Sequence, residues 1–286
     1  PPRSTLFPYT TLFRSTAGRV FLTLATRAAV NTGEIYGAVR DVPWEEHVPA
    51  KGTIAVDFSG SGAGVSNTMF GAQLVKDAVV DRLRERRGGR PSVDPERPDI
   101  LIRCRLAKNG IEVRIDLSGP SLHLRGYRTE AGSAPLRETL AAALLIKAGW
   151  PAIAGQGGSF LDPLCGSGTL VIEAAMLAAD AAPGLLRDRW GFSAWPGFDR
   201  ATWDALVAEA SGRREAGVRN APPCFGYDID RQVVKIARQN AKRACLDTLA
   251  RFETRPLDRA APPEGARPGL VLTNPPYGVR DRKSVV

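Results

Sequence analysis

The sequence is poor in the residues that build metal centres and disulfide frameworks. Its 286 residues include two histidines and four widely separated cysteines, with no Cys-x-x-Cys pair. This distribution argues against zinc and disulfide frameworks, so we expect no metal and a reducing, cytoplasmic setting. No stretch approaches the ~18 uninterrupted apolar residues of a membrane helix. The amino terminus is not typical of a signal peptide either, because Thr, Pro and Arg residues interrupt the apolar core that such a peptide needs.

Acidic residues are outnumbered by basic ones, 30 against 39, for a net charge of +9. A hydrophobic share of 43% and a charged share of 24% are typical of globular proteins, and the length is sufficient for two domains. The excess positive charge favours a polyanionic partner, of which RNA or DNA is the first candidate. Charge alone is explained equally well by an Arg-rich composition that keeps the protein soluble.

The two ends of the chain differ in character from its interior. Residues 3–15 form a near-repeat, Thr5-Leu6-Phe7 and then Thr11-Leu12-Phe13, without helical or strand periodicity. Both this string and residues 281–286 resemble translations of one sequencing adapter read in opposite orientations. We therefore expect the native protein to run from about Thr16 to Arg280, with non-native segments at 1–16 and 281–286.

Residues 17–117 are predicted to form a small α+β domain. Short apolar runs at 20–22, 54–58, 100–106 and 111–117 indicate strands, and Asn109-Gly110 is a strong hairpin signal. One helix is predicted over 67–87, with an apolar stripe on one face and basic residues on the other. Residues 118–133, rich in Gly, Ser and Arg, are predicted to be a linker.

Residues 134–280 are predicted to form a second domain with a doubly wound parallel sheet. Helical periodicity begins at Pro135. Strands at 159–161, 224–227 and 269–273 alternate with helices at 170–182 and 231–244, a pattern typical of α/β folds. In such sheets ligands bind at the carboxyl ends of the strands, so the loops that follow these strands are expected to form the ligand site.

The first of these loops is glycine-rich. It runs Asp162-Pro163-Leu164-Cys165-Gly166-Ser167-Gly168-Thr169 and opens a helix. It lacks the lysine of a phosphate-binding loop and the spacing of the dinucleotide fingerprint. A ligand with an α-carboxylate and an α-ammonium group, such as the methionine half of S-adenosylmethionine, fits better, with Asp162 accepting from the ammonium. A plain tight turn explains the glycines alone equally well.

An acid follows the second strand of this sheet. Asp228 is placed to accept hydrogen bonds from ribose hydroxyls, as acids do in other nucleoside-binding sheets, or it caps the next helix. Asp230 is predicted to be that helix cap.

The most specific loop is Asn274-Pro275-Pro276-Tyr277. Two prolines directly after an apolar strand stop the ladder and form a rigid turn. The Asn274 side chain and the neighbouring carbonyls can hold an amino group with its lone pair towards a sulfonium methyl group, which is a positioning task. Tyr277 can stack on a flat base.

Taken together, these loops resemble the amino-methyltransferase class with a Rossmann-like fold. Residues 17–280 resemble the amino-terminal half of the bifunctional ribosomal RNA large subunit methyltransferase K/L family. The resemblance rests on LHLRGYR (122–128), APLRETLAAALL (134–145), LDPLCGSGTLVIEAAM (161–176), APGLLRDRWGFSAWPGFD (182–199) and NPPYG (274–278). We interpret the aromatic segment within 182–199 as a lid that packs on its own domain.

This resemblance implies a truncated class I methyltransferase domain preceded by an incomplete THUMP RNA-binding domain. It implies methylation of guanine N2 in 23S ribosomal RNA with S-adenosylmethionine. By motif position, Asp162, Gly166, Gly168 and Asp228 would bind the cofactor, with Pro163, Cys165, Ser167 and Thr169 in the same loop. Pro135 and Arg137 would border the cofactor, whereas Asn274, Pro275, Pro276 and Tyr277 would hold the guanine. The family's acid after the third strand is not matched cleanly near Glu253.

The basic helix face then gains a candidate role. Phosphate contacts are assigned to Arg82, Arg84, Arg86, Arg87 and Arg90, although a solvated helix face explains any single one equally well. Two rival functions stay open: another amino-methyltransferase, acting on tRNA guanine N2, DNA adenine N6 or a protein glutamine, and a non-catalytic RNA-binding factor. Because three further strands are expected after the Asn274 loop, we expect this fragment to be inactive or poorly folded.

Overall fold

The computed structural model describes residues 12–128 and 136–276, which form two compact units. The first unit comprises Arg19–Ser121 and Asp188–Thr202. The second comprises Leu12–Gly18, Leu122–Arg187 and the chain from Trp203 onward. Most of the predicted adapter-like segment 1–16, and all of 281–286, lie outside the described residues. Leu12 is buried, and its carbonyl accepts a hydrogen bond from the Gly184 N–H at 3.0 Å.

The first unit is a five-stranded mixed sheet with helices. Its strands are β1 (Phe21–Arg27), β2 (Thr53–Ser59), β3 (Ser92–Val93), β4 (Ile100–Ala107) and β5 (Gly110–Asp116), in the spatial order β1-β5-β4-β2-β3. Its helices are α1 (Thr32–Arg40), α2 (Trp44–His47) and α3 (Thr68–Arg87). The predicted hairpin is confirmed, because β4 and β5 pair antiparallel with Ala107 opposite Gly110. Helix α3 is also confirmed; the Asn67 side chain caps it and Gly88 ends it with a φ of 71°.

Helix α1 was not predicted. Its buried stripe contains only Ile35 and Val39, and two glycines interrupt the nine residues, so its periodic signal is weak. The helix begins because the Asn31 side chain accepts a hydrogen bond from the Glu34 N–H while Glu34 reaches back to the Val30 N–H. This arrangement is close to a capping box. The Asn-x-x-Glu spacing was therefore the available sequence signal.

The second unit is built on a parallel sheet. Its helices are α4 (Glu138–Lys147), α5 (Trp150–Gly155), α6 (Thr169–Ala178), α7 (Arg200–Asn220, which begins in the first unit) and α8 (Arg231–Arg243). Its strands are β6 (Phe160–Asp162), β7 (Cys224–Asp228), β8 (Ala250–Thr254) and β9 (Leu270–Val271). The order is β8-β7-β6-β9, and every pair is parallel. The predicted parallel α/β fold is confirmed.

Helix α6 forms the centre of this unit. Every residue from Thr169 to Met176 is buried, including Glu173, and the other residues from Leu170 to Met176 are apolar, as expected of a central helix. The helix ends four residues earlier than predicted, because the chain turns at Asp180, which has a φ of 50°. Strand β9 is also shorter than predicted: Leu270 and Val271 pair with Phe160 and Leu161.

The aromatic segment is where the structure departs most from expectation. We expected it to pack on the domain that surrounds it in sequence, and this prediction is wrong, because residues Asp188–Thr202 belong to the first unit. Phe192 is fully buried and stacks on Trp190 with ring centroids 5.6 Å apart. The Trp195 indole N–H donates to the Nδ1 atom of His47 at 3.2 Å. Aromatic composition indicates burial but does not indicate the surface against which the side chains are buried.

Within residues 12–128 and 136–276, no helix is both long and apolar enough to cross a membrane. The same residues contain no group of three or more His, Cys, Asp or Glu side chains that could hold a metal ion. All four cysteines are free thiols; Cys245 is exposed, whereas the other three are buried.

Candidate functional site

The predicted site loops share one edge of the parallel sheet. Strand β6 ends at Asp162 and β7 ends at Asp228, and Asn274 lies three residues beyond β9. Strand β6 lies between β7 and β9, so the chain runs outward through β7 to β8 and then returns to the other side of β6. The direction of winding therefore reverses beside β6, which is where ligands bind in open α/β sheets.

Asp162 is a buried carboxylate at the end of β6. It is 2% exposed, and its Oδ1 atom accepts the Leu164 N–H at 3.1 Å. Burial raises the pKa of Asp162 from its ordinary 3.8 to about 6, and the nearby negative charge of Asp228 acts in the same direction. A buried carboxylate of this kind is stabilised when a cationic group is placed beside it.

The two glycines of the loop have different environments. Gly166 has a φ of 54°, and an added Cβ would meet no atom of the described residues within 4 Å, so open space lies beside this backbone. Gly168 has a φ of 87°, and an added Cβ would lie 2.7 Å from the Phe252 ring and 3.1 Å from Ala237. The resemblance assigns both glycines to the cofactor. The structure adds a packing requirement at Gly168, and the cofactor role of both glycines stays a prediction.

Asp228 joins the glycine loop to the end of β7. Its Oδ2 atom accepts the Gly166 N–H at 3.0 Å, and its Oδ1 atom accepts the Asp230 N–H at 3.0 Å. Each oxygen keeps a further lone pair, because a carboxylate offers about four acceptor sites. Asp230 caps α8 by accepting from the Gln232 and Val233 N–H groups, so the prediction that Asp230 is a cap is confirmed.

Asn240 supports the loop from α8 and was missed at the level of sequence. It is fully buried, and its side-chain amide donates to the Ser167 carbonyl at 3.0 Å. The Cys165 N–H donates to the Tyr227 carbonyl at 2.8 Å. A polar side chain within the apolar stripe of Val234, Ala237 and Ala241 was the available signal, since buried amides have hydrogen-bond partners.

The remaining predicted cofactor residues lie at the start of α4 and α6. Pro163 is buried, Ser167 is half-buried, and Thr169 is the first residue of α6. Arg137 is exposed and precedes the first residue of α4. Pro135 lies outside the described residues.

The predicted catalytic loop is open to solvent. The N–H of Leu272 donates to the Leu161 carbonyl at 3.1 Å and extends the ladder by one bond beyond β9. Asn274, Pro275 and Pro276 are exposed, and Tyr277 lies outside the described residues. These positions leave the Asn274 side chain available for a ligand.

Arg255 occupies the position after β8 where the family resemblance leads one to expect an acid. Its N–H donates to the Asp228 carbonyl at 2.9 Å, and its guanidinium lies 4.3 Å from the centroid of the Tyr227 ring. This cation–π contact packs Arg255 against the strand that carries Asp228. The adenine-contacting residue after β8 therefore stays unassigned.

Four of the five arginines assigned to RNA have polar contacts within the first unit. Arg84 pairs with Asp81 at 3.4 Å, and Arg86 lies 3.9 Å from Glu45. Arg82 forms a bidentate ion pair with Glu45, at 2.7 and 3.0 Å, and its hydrogen bonds hold the pKa of Glu45 at about 2. Arg87 donates to the Val48 carbonyl at 2.7 Å. Arg82 and Arg87 thus tie α3 to the α2 segment. All five arginines except Arg82 are exposed. The RNA-binding role of these arginines stays a prediction.

The parallel order β8-β7-β6-β9, with a glycine loop, an acid and an Asn-Pro-Pro turn at the ends of its strands, is the arrangement of a Rossmann-like, class I methyltransferase. Residues 125–284 match the family model described as RMKL-like, methyltransferase domain, and residues 29–116 match the THUMP domain model. The chain therefore belongs to the RMKL-like methyltransferase family and carries a THUMP domain before its methyltransferase domain.

Among curated relatives, the ribosomal RNA large subunit methyltransferase K/L of Syntrophotalea carbinolica is 49% identical over 271 residues. The protein of the same name from Pseudomonas paraeruginosa is 49% identical over 278 residues. Each match covers 94% of this chain, which spans only 38% and 37% of the respective relatives.

Two solved structures are similar over nearly the whole chain. A predicted N6-adenine-specific DNA methylase from Listeria monocytogenes has a TM-score of 0.84 at 30% identity, covering 96% of this chain and 70% of its own. A protein described as a methyltransferase, complexed with SAH, has a TM-score of 0.83 at 30% identity, covering 97% of this chain and 71% of its own.

Proposed function

We propose that this chain is the THUMP and methyltransferase part of an enzyme that methylates guanine N2 in 23S ribosomal RNA. The observation that carries the proposal is the grouping of Asp162, Gly166 and Asp228 beside β6, where the direction of winding reverses. Strand β9, on the other side of β6, leads into Asn274-Pro275-Pro276. The names of the curated relatives support ribosomal RNA as the substrate, and the THUMP match supports RNA over DNA.

The residues present fit S-adenosylmethionine. Asp162 is a buried acceptor for the α-ammonium group, and Asp228 keeps acceptor sites for ribose hydroxyls. Gly166 adjoins open space, and the amino terminus of α6 has no side-chain cap from Gly168, so its N–H groups suit the α-carboxylate. When bound, this cofactor supplies an electrophilic methyl group. A methyltransferase in complex with SAH among the similar structures supports the same cofactor.

On the substrate side, we assign the positioning to Asn274 and Pro275. The Asn274 side-chain oxygen and the Pro275 carbonyl accept the two N–H bonds of the exocyclic amino group and direct its lone pair towards the methyl group. Pro276 makes the turn rigid because its ring fixes the backbone φ angle, and we assign stacking on the base to Tyr277. The rate advantage comes from orientation, so the proposal requires no metal ion. A ribosomal RNA substrate places the enzyme in the cytoplasm.

Cofactor binding is the first prediction. Asp228→Ala removes two loop contacts and the ribose acceptor, and we expect S-adenosylmethionine affinity to fall about 10- to 100-fold, since hydrogen bonds to charged groups contribute ~1.5–3 kcal/mol. Isothermal titration of the chain measures this change. Asp230→Asn is the matched control, because it removes the same charge two residues away and retains the cap. Equal losses in both variants would show that the effect is not specific to Asp228.

The substrate is tested separately. The chain is incubated with labelled S-adenosylmethionine and either deproteinised 23S ribosomal RNA, tRNA or duplex DNA, and the product nucleoside is identified by mass spectrometry. N2-methylguanine in 23S RNA supports the proposal. N6-methyladenine in DNA would instead favour the activity for which the similar Listeria monocytogenes protein is named. The full-length protein is assayed in the same way; if it binds the cofactor and transfers no methyl group to any of the three, a non-catalytic RNA-binding factor is favoured.

A further inference from the structure

Side chains of the segment Arg125–Arg128 contact one face of α6, the helix that follows the glycine loop; we call these contacts the α6 brace. Arg125 is 2% exposed and forms an ion pair with Glu173 of α6 at 3.4 Å. The Tyr127 hydroxyl donates to the same carboxylate at 3.2 Å. Burial raises the pKa of Glu173, and the charge of Arg125 opposes this effect. These three side chains satisfy one another within the core, which is the usual condition for burying charge.

Arg128 contacts the same face of α6 one turn nearer the glycine loop. Its guanidinium donates to the Thr169 hydroxyl, and Thr169 and Glu173 are four residues apart, so they share one helix face. The guanidinium also donates to the Leu136 carbonyl at 3.4 Å and lies 3.7 Å from Glu138. Arg128 thus links the first residue of α6 to the start of α4.

The two arginines differ in their electrostatic setting. The guanidinium of Arg125 faces a carboxylate and also donates to the Leu122 carbonyl at 2.9 Å. Arg128 also faces a carboxylate, because it pairs with the buried Glu138 of α4 at 3.7 Å, but it does so beside the amino-terminal turn of α6, where the helix dipole favours anions. Its Nε atom is buried and has no hydrogen-bond partner among the described residues. The Arg128 guanidinium, although paired with Glu138, therefore keeps one N–H, close to the helix terminus, without a partner in the described part of the chain.

We infer that Arg128 is a positioning residue for the α-amino-acid carboxylate of the cofactor. It fixes Thr169 and the start of α4 beside the glycine loop, and so holds the amino terminus of α6 in place for the carboxylate. Arg125, Tyr127 and Glu173 form the structural part of the same brace. The inference rests on the proposed function, since it presupposes that the loop binds S-adenosylmethionine.

The experiment compares two ligands that differ at the amino-acid end. S-adenosylhomocysteine carries the α-carboxylate, whereas 5′-methylthioadenosine lacks the whole amino-acid group. We expect Arg128→Gln to weaken S-adenosylhomocysteine binding about three- to tenfold, which corresponds to the net contribution of about one hydrogen bond, and to leave 5′-methylthioadenosine binding unchanged. Thr169→Val should produce a smaller loss, and the double variant should lose less than the sum of the two. Arg128→Lys should restore part of the affinity.

Several outcomes are decisive. Arg251→Gln, on the exposed strand residue Arg251, is the matched control and should alter neither affinity. An equal loss for both ligands, together with a lower melting temperature, would mean that Arg128 is merely structural and would overturn the inference. Unchanged affinities in Arg128→Gln would also overturn it while leaving the proposed function intact. Failure of the unmodified chain to bind either ligand would overturn the proposed function and this inference together.

Discussion

Asp162 shows how a single buried group couples stability to binding. An acid whose pKa is raised on folding favours its protonated form in the folded state. The stabilising contribution is therefore fully present below the ordinary pKa of 3.8 and is lost as the pH rises through about 6. At neutral pH Asp162 is ionised although burial disfavours its charged form, which is the behaviour expected of a carboxylate that binds a cationic ligand.

Asp162→Asn should raise the free energy of unfolding at pH 8 by up to ~3 kcal/mol, because about two pKa units correspond to that energy at 1.36 kcal/mol each. The difference should vanish below pH 4. The asparagine oxygen still accepts the Leu164 N–H, so the loop is retained. Urea unfolding of both proteins across pH 4–8 measures the difference. A variant that is less stable at pH 8 would contradict the pKa assignment.

The same variant separates stability from binding. If Asp162 accepts the α-ammonium group, Asp162→Asn is more stable at pH 8 and yet binds S-adenosylmethionine at least about tenfold more weakly, since a charge-assisted hydrogen bond is lost. In the unmodified chain, affinity should fall as the pH drops through about 6. Unaltered affinity in the variant would remove Asp162 from the cofactor site.

At the scale of elements, the glycine loop combines a packing requirement with a ligand requirement. The Gly168 backbone packs against Phe252 and Ala237, whereas the Gly166 backbone adjoins open space. Both have positive φ angles, which cost other residues ~1–2 kcal/mol. The contacts around an added methyl group therefore distinguish the two positions.

Gly168→Ala should lower the free energy of unfolding by about 2–5 kcal/mol, from the left-handed conformation and from overpacking against Phe252. Gly166→Ala should cost about 1–2 kcal/mol. Chemical denaturation measures both. The smaller side chain in Phe252→Leu should recover part of the loss in Gly168→Ala. Equal costs at the two glycines would mean that the Phe252 contact does not restrict the loop.

Elements with a strong periodic or turn signal were predictable, and weakly marked ones were not. Helix α3, the β4–β5 hairpin and the parallel strands follow from local patterns, because periodicity and Asn-Gly turns act over a few residues. Helix α1 escaped prediction because only two buried side chains mark it. Asp228 was predicted to be an acceptor, but its bond with the Gly166 N–H joins it to a loop 62 residues away in sequence, and no local pattern predicts that contact.

At the scale of the whole chain, sequence continuity and structural units do not coincide. Residues Asp188–Thr202 belong to the first unit although they lie inside the stretch that matches the methyltransferase model. Within this segment Phe192 is fully buried beside Trp190, and Arg189 donates to the Pro98 carbonyl at 2.6 Å. The first unit therefore depends on residues that the sequence places in the second domain.

Phe192→Ala should destabilise the first unit by about 3–5 kcal/mol, the usual cost of removing a buried phenylalanine. Hydrogen exchange should accelerate in β4 and β5 more than in β6 and β7. The matched control is Phe225→Ala on β7, which is also buried and should have the opposite distribution. Faster exchange confined to β6 and β7 in Phe192→Ala would contradict the unit assignment.

The sequence by itself determined the parallel α/β class, the THUMP and methyltransferase resemblance and the loops that carry the candidate site. These features depend on periodicity, turn chemistry and motifs that are local in the chain. Only the tertiary structure decided that Gly168 packs against its neighbours and that Arg82 pairs with Glu45. It also decided that the aromatic segment joins the first unit and that Arg128 contacts the amino terminus of α6. Each of those depends on contacts between residues distant in sequence, whose geometry is set by how the elements pack together.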